Sequence, residues 1–158
     1  MNTSLLSSDK NNWETPQDFF NKLNEKYHFT FDLAASDSNA KCKSYFTETD
    51  DSLSQDWHKI GGNIFLNPPY GRELHKWVKK AYEESLLKAE GDIVMLIPAR
   101  TDTSYWHDFI FGKAQVKFLR GRLKFELDGV PRDAAPFPSA LVIYRANREQ
   151  VKFEECEW

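Results

Sequence analysis

Asn67-Pro68-Pro69-Tyr70 are the residues of this chain whose types and spacing could do chemistry. They follow the apolar run Ile64-Phe65-Leu66 and precede Gly71, the pattern of a buried strand that ends abruptly in a tight, proline-stiffened loop. Asn67 offers an amide oxygen, and Pro68 offers a carbonyl on a backbone with few options. Two such acceptors side by side can grip a planar exocyclic amine by both of its N–H bonds. Tyr70 supplies a flat face on which a base can stack. The plain alternative is a Pro-rich turn after a strand. The position at a strand end and the flanking segments favour the chemical reading.

Such a loop needs a sheet behind it, and the apolar periodicity supplies one. Thr15 and Pro16 are expected to open a first helix, as N-cap and first helical residue, with Phe19, Phe20, Leu23 and Tyr27 on its apolar face. Residues 29–35 read as a strand, 36–43 as a turn and 44–48 as a second short strand. Residues 50–62 form a polar loop anchored by Trp57. Residues 63–66 are the strand before the loop. Leu74, Trp77, Val78, Ala81, Tyr82 and Leu86 mark an amphipathic helix that closes near Gly91. Residues 93–97 are a continuous apolar run, fitting a central parallel strand ended by Pro98. Thr103 caps a further helix. Residues 115–127 read as a strand pair or one long bent strand, and 140–144 as the last strand. This alternation argues an α/β fold with a mostly parallel sheet, in which ligands sit beyond the carboxyl ends of strands. Residues 32–36 and 67–70 both fall at such ends.

At 158 residues, 41% of them hydrophobic, one domain with a real core is expected. We read residues 1–12 as a flexible N-terminus, 13–146 as the domain and 147–158 as a charged, peripheral tail. No stretch reaches the roughly 20 apolar residues of a membrane span, and no signal-peptide core is present, so a cytoplasmic location is expected. Cys42 and Cys156 form no CxxC pair and have no histidine at ligand spacing, so no metal site is expected. The net charge of −3 gives no long-range help in approaching DNA. Lys113, Lys117, Arg120, Arg122 and Lys124 nevertheless cluster in a segment without acids, a solvated face or a phosphate-contacting surface.

Several segments together resemble one family. Trp13-Glu14-Thr15-Pro16, Phe31-Asp32-Leu33-Ala34-Ala35-Ser36, Asn39-Ala40-Lys41-Cys42, Asn67-Pro68-Pro69-Tyr70, Leu96-Ile97-Pro98-Ala99-Arg100, Gly121-Arg122-Leu123-Lys124-Phe125 and Pro136-Phe137-Pro138-Ser139 occur in the order and spacing of the phage-type DNA N6-adenine methyltransferases. The resemblance covers most of residues 13–145. It implies a compact Rossmann-like fold, mostly parallel with a C-terminal antiparallel strand. It also implies S-adenosyl-L-methionine as cofactor, duplex DNA as partner and the cytoplasm of a bacterial host as location. By the same resemblance Asn67, Pro68, Pro69 and Tyr70 are catalytic, and Trp13, Thr15, Pro16, Asp32, Ala34, Ala35 and Ser36 bind the cofactor, Asn67 contributing. Asp50 is favoured for the cofactor ribose and Asp56 for its adenine, with Glu48 a competitor. The G-x-G signature of larger relatives is absent.

Arg72, Arg100, Arg120, Arg122 and Lys124 are the expected DNA contacts. Arg120, Arg122 and Lys124 share parity, so one strand face can carry all three while Lys117 points the other way. Trp57 and Trp106 read as core, and none of the four histidines has nucleophile or metal spacing. Sequence readout is short, relaxed or dependent on a homodimer, which stays open. Two rivals also stay open: methylation of another planar amine or amide (RNA adenine or protein glutamine), and a non-catalytic DNA-binding module of the same fold.

Overall fold

The computed structural model describes residues 11–146 and the backbone of 153–156. The expected flexible N-terminus, apart from Asn11 and Asn12, and most of the tail lie outside these residues.

Helix α1, Gln17–Tyr27, leads into strand β1, Phe31–Asp32. Three single 3₁₀ turns, Glu48–Asp50, Ser52–Ser54 and Trp57–Lys59, cross to β2, Ile64–Leu66. Helix α2, Leu74–Leu87, then β3, Ile93–Pro98, and helix α3, Ser104–Phe109, complete the alternating part. The chain ends in β4, Gln115–Leu119, the small pair β5, Glu126–Leu127, and β6, Val130–Pro131, then β7, Ser139–Tyr144, and β8, Phe153–Cys156. The fold is α/β around a mixed six-stranded sheet ordered β1-β2-β3-β7-β4-β8. β1, β2 and β3 are parallel. β7 lies antiparallel between β3 and β4, and β8 runs parallel to β4 at the edge.

The sheet centre follows from apolar runs. Every residue of β2, β3 and β7 is buried, which requires cover on both faces. Helix α2 supplies part of it with Leu74, Val78 and Ala81, packing on α3 and on the turn of Trp57. Trp57 and Trp106 are fully buried, as expected of core residues.

Four local expectations need correction. β1 covers only Phe31–Asp32, because the chain turns at once and the Asp32 carboxylate accepts the Ala34 N–H. Residues 44–48 form no strand; Tyr45 makes an isolated bridge to Asp32, flanked by Asp32 N–H to Ser44 O and Phe46 N–H to Asp32 O. Pro16, rather than Thr15, stands at the N-cap of α1, and no side chain of its own caps the helix. β4 stops at Leu119, where Gly121 turns the chain with φ of 73°, so residues 120–125 are not in a strand. The sheet also continues into the tail, through β8.

Candidate active site

The carboxyl ends of β1 and β2 lie side by side, since Asp32 is level with Phe65 and the Leu33 N–H donates to Phe65 O at 2.9 Å. Beyond them opens a cleft of about 720 Å³, within the range of cofactor sites. Trp13, Thr15, Asp32, Ala34, Ala35, Ser36, Asn67, Pro68 and Pro69 all line it, so residues predicted from segments far apart in the chain are brought together. Pro16 is buried behind it.

Asn67 emerges from β2 with its amide already committed at one end. Nδ2 donates to Trp13 O at 2.6 Å and to Thr15 Oγ1 at 3.0 Å. A carbonyl cannot donate, so the amide group facing Trp13 must be the NH₂. Oδ1 is buried and has no hydrogen-bond partner among the described residues. Buried acceptors are rarely left so, because an unmade hydrogen bond there costs about 1–3 kcal/mol.

Asp32 is 3% exposed. Burial pushes its carboxyl up to about 6, against the opposing pull of the Lys41 and Ala34 N–H donors. Its oxygens accept from Lys41 N at 3.1 Å and Ala34 N at 3.3 Å. A buried carboxylate of this kind favours a cationic ligand. Cys42 nearby is no nucleophile, since burial and then the Asp32 charge push its thiol up to about 11. No histidine lines the cleft: His58 bonds to Glu84, His75 to Arg72 O and His107 to Thr101 O. The site offers acceptors and, apart from the Asp32 carboxylate, no group with a raised pKa placed as a base.

Tyr70 departs from expectation. It is 3% exposed, its hydroxyl donates to Leu96 O at 2.9 Å, and Phe125 and Phe137 pack edge-on against its ring. The ring is part of the core and presents no open face, and burial holds its phenol proton well above the ordinary range. The two favoured acids are also displaced. The Asp50 carboxylate closes a capping box on Thr47, accepting its N–H at 2.8 Å, and Asp56 is exposed and paired with Lys59 at 3.0 Å. Neither lines the cleft; Glu48 and Asp51 do. Asp51 is held at φ of 51°, a costly conformation for a residue other than glycine. The cleft wall also uses Phe46, Leu53 and Trp77, which sequence reasoning passed over. Trp77 sits on the α2 apolar stripe and stacks on Trp57 at 6.0 Å, so its periodicity alone marked it as core.

The N-terminal segment is held by a clip that sequence reasoning also missed. Glu14 and Glu126 exchange backbone hydrogen bonds at 3.2 and 2.9 Å, and Glu126 Oε1 accepts the Gln17 N–H at 3.1 Å. Arg132 stacks on the Trp13 ring at 4.1 Å and donates to Asn12 O at 3.2 Å. Arg100 stands over Phe137 at 5.7 Å, and Arg122 donates to Ala135 O at 3.2 Å. Arg72, Arg120 and Lys124 are exposed. None of the five expected DNA contacts lines the cleft.

A family model described as DNA N-6-adenine-methyltransferase (Dam) matches residues 2–154. The chain belongs to this family of adenine-specific DNA methyltransferases. It is 30% identical over 118 residues to the DNA N-6-adenine-methyltransferase of Escherichia phage T1, covering 74% of this chain and 48% of that protein. It is 30% identical over 148 residues to the DNA N-6-adenine-methyltransferase of Haemophilus phage HP1 (strain HP1c1), covering 90% of this chain and 83% of the relative. The chain thus spans about half the length of the T1 protein and most of the HP1 protein. Membership in the Dam family implies a methyl donor and DNA as the substrate. No helix among the described residues is long and apolar enough to cross a membrane.

Proposed function

We propose that this chain, with a compact Rossmann-like methyltransferase fold, transfers a methyl group from S-adenosyl-L-methionine to N6 of adenine in duplex DNA. The observation that carries the reading is Asn67 Oδ1, a buried acceptor without a partner among the described residues, oriented by contacts at the other end of its amide.

The residues of the cleft fit the cofactor. The buried Asp32 carboxylate suits its ammonium group, and the small Ala34, Ala35 and Ser36 let its amino-acid part approach the backbone. Glu48 and Asp51 border the cleft where ribose hydroxyls need acceptors, in place of Asp50 and Asp56. Phe46, Leu53 and Trp77 offer apolar surface for a purine ring. When bound, the sulfonium cofactor supplies an activated methyl group, which is the hard part of the chemistry.

The chain's own task is to present the amine. Asn67 Oδ1 and the Pro68 carbonyl accept its two N–H bonds, which draws the nitrogen lone pair out of conjugation and stabilises positive charge growing on it. Pro69 stiffens the loop. No base with a shifted pKa is needed, in keeping with a cleft free of histidine. The adenine has to leave the duplex stack to reach the loop. Stacking on Tyr70 then requires the layer of Trp13 and Phe137 to shift, because these rings, 5.1 Å apart, stand with Phe125 in the cluster around it. Arg72, Arg100, Arg120, Arg122 and Lys124 are the groups for the DNA backbone.

Incubation of plasmid DNA with labelled S-adenosyl-L-methionine, followed by nucleoside mass analysis, tests the reading. N6-methyladenine is the expected product. Methyl transfer to single-stranded RNA or protein with none to DNA overturns it.

A further inference from the structure

We propose that Thr15 is a positioning residue for Asn67: its hydroxyl, together with the Trp13 carbonyl, holds the amide so that Oδ1 faces the cleft. The inference rests on the reading of Asn67 as the acceptor for the substrate amine.

Thr15 is read from the sequence as a helix N-cap, which is the common use of a threonine before Pro and an amphipathic run. The structure gives it different work. Its hydroxyl caps nothing in α1, and the Gln17 N–H is taken by Glu126 Oε1 instead. Thr15 is 3% exposed, and its Oγ1 accepts a hydrogen bond from Asn67 Nδ2 at 3.0 Å across 52 positions of sequence. The Trp13 carbonyl accepts the second hydrogen bond of that NH₂ at 2.6 Å.

The two contacts have separate effects. The terminal torsion of an asparagine is broad and roughly two-fold, so nothing local distinguishes oxygen-in from nitrogen-in. The Trp13 carbonyl sets the sense, since turning Oδ1 towards it would oppose two acceptors. With that contact alone the amide plane still rocks about one hydrogen bond. The Thr15 hydroxyl is the second point that fixes the plane, and it is itself fixed. Pro16 restricts the backbone on one side, and the paired Glu14 and Glu126 hold the other. A displacement of about 1 Å in a group that meets the reacting atom can lower a rate on the order of 100-fold.

The test compares Thr15→Val, Thr15→Ala, Thr15→Ser and Asn67→Ala. Methyl transfer from S-adenosyl-L-methionine to plasmid DNA gives kcat and KM. Calorimetry with S-adenosylhomocysteine gives affinity and the number of competent sites, so that kcat is taken per folded site. The expected result for Thr15→Val and Thr15→Ala is a kcat lower on the order of 10–100-fold, with donor KM and S-adenosylhomocysteine affinity within about threefold of wild type. Thr15→Ser, which keeps the hydroxyl, recovers most of the lost rate. Wild-type kcat in Thr15→Val beside an inactive Asn67→Ala overturns the positioning role alone. A Thr15→Val defect confined to donor affinity, or one that Thr15→Ser does not recover, overturns it too. Near-normal turnover in Asn67→Ala removes the underlying reading of Asn67, and the role of Thr15 with it.

Discussion

The amide nitrogen of Asn67 stands 2.6 Å from the carbonyl oxygen of Trp13, and this contact leaves the oxygen end of the amide as the one that the proposed function assigns to the substrate. On the proposed reading, Asn67→Ala removes a substrate acceptor and little packing. Turnover is expected to fall by roughly 10²–10³, by analogy with the loss of one oxyanion-hole donor, while S-adenosylhomocysteine affinity stays within a few-fold. Methyl transfer to plasmid DNA under saturating donor checks the first part, and calorimetry the second.

With Asp32 in the proposed cofactor site, cofactor binding is tied to pH. Its carboxyl is raised by burial to about 6, so the folded state favours the protonated form. The stability this brings is present below the ordinary carboxylate range and is lost as pH rises through about 6. The difference amounts to roughly 3 kcal/mol across that window. A cationic ligand group needs the ionised form. Affinity for S-adenosylhomocysteine is therefore expected to rise close to tenfold per pH unit below 6 and to level off above 7. The same series on Asp32→Asn should show weak binding without that slope, and its unfolding free energy should lack the decline expected of the wild type between pH 4 and pH 8. A wild-type affinity that is flat from pH 5 to pH 8 would remove Asp32 from the cofactor site.

Tyr70 makes two separable contributions. Tyr70→Phe loses the hydrogen bond to Leu96 O and keeps the ring, so a stability loss of about 1 kcal/mol is expected with turnover within about fivefold. Tyr70→Ala opens a core cavity beside Phe125 and Phe137, and a loss of about 3–5 kcal/mol is expected. If the ring also receives the flipped base, the alanine variant loses turnover even when assayed well below its melting temperature. Denaturant titrations and rates at several temperatures separate the two effects.

Particular residues show what was legible in the sequence. β2, β3 and β7 were readable because strands buried on both faces are unbroken apolar runs, and α2 because its apolar residues repeat at helical spacing. Asn67 was readable because Pro68 and Pro69 stop β2 abruptly. The acids of the cleft were not. Glu48, Asp50, Asp51 and Asp56 look alike in a polar loop, and the choice among them is made by turns that aim Asp50 at Thr47 and bend the chain at Asp51. The packing of Tyr70 depends on Phe125 and Phe137, residues more than fifty positions away, which no local pattern reports. The clip between Glu14 and Glu126 is a contact across the whole domain and leaves no mark at either end.

The basic segment gives the last prediction, in a form the structure alters. Residues 120–125 are not in a strand, so the shared parity of Arg120, Arg122 and Lys124 does not place all three on one face. Gly121, at φ of 73°, interrupts the alternation between Arg120 and the other two. From Arg122 onward the period of two survives: Arg122 and Lys124 are exposed, while Leu123 and Phe125 are buried. The Ala135 N–H to Leu123 O and the Arg132 N–H to Phe125 O hold this stretch extended. Arg122 and Lys124 are therefore the pair that can act together on DNA. Each neutralised phosphate contributes about 0.9 to the slope of log affinity against log salt. Replacing both by Ala is expected to flatten that slope by about two and to leave S-adenosylhomocysteine affinity unchanged. Lys117 is half-buried in β4, and Lys117→Ala should change the slope by much less. Affinities for one plasmid fragment measured across a salt series read all three quantities. A slope that the double variant leaves intact, or a Lys117→Ala effect as large as either single change, would place the DNA surface elsewhere.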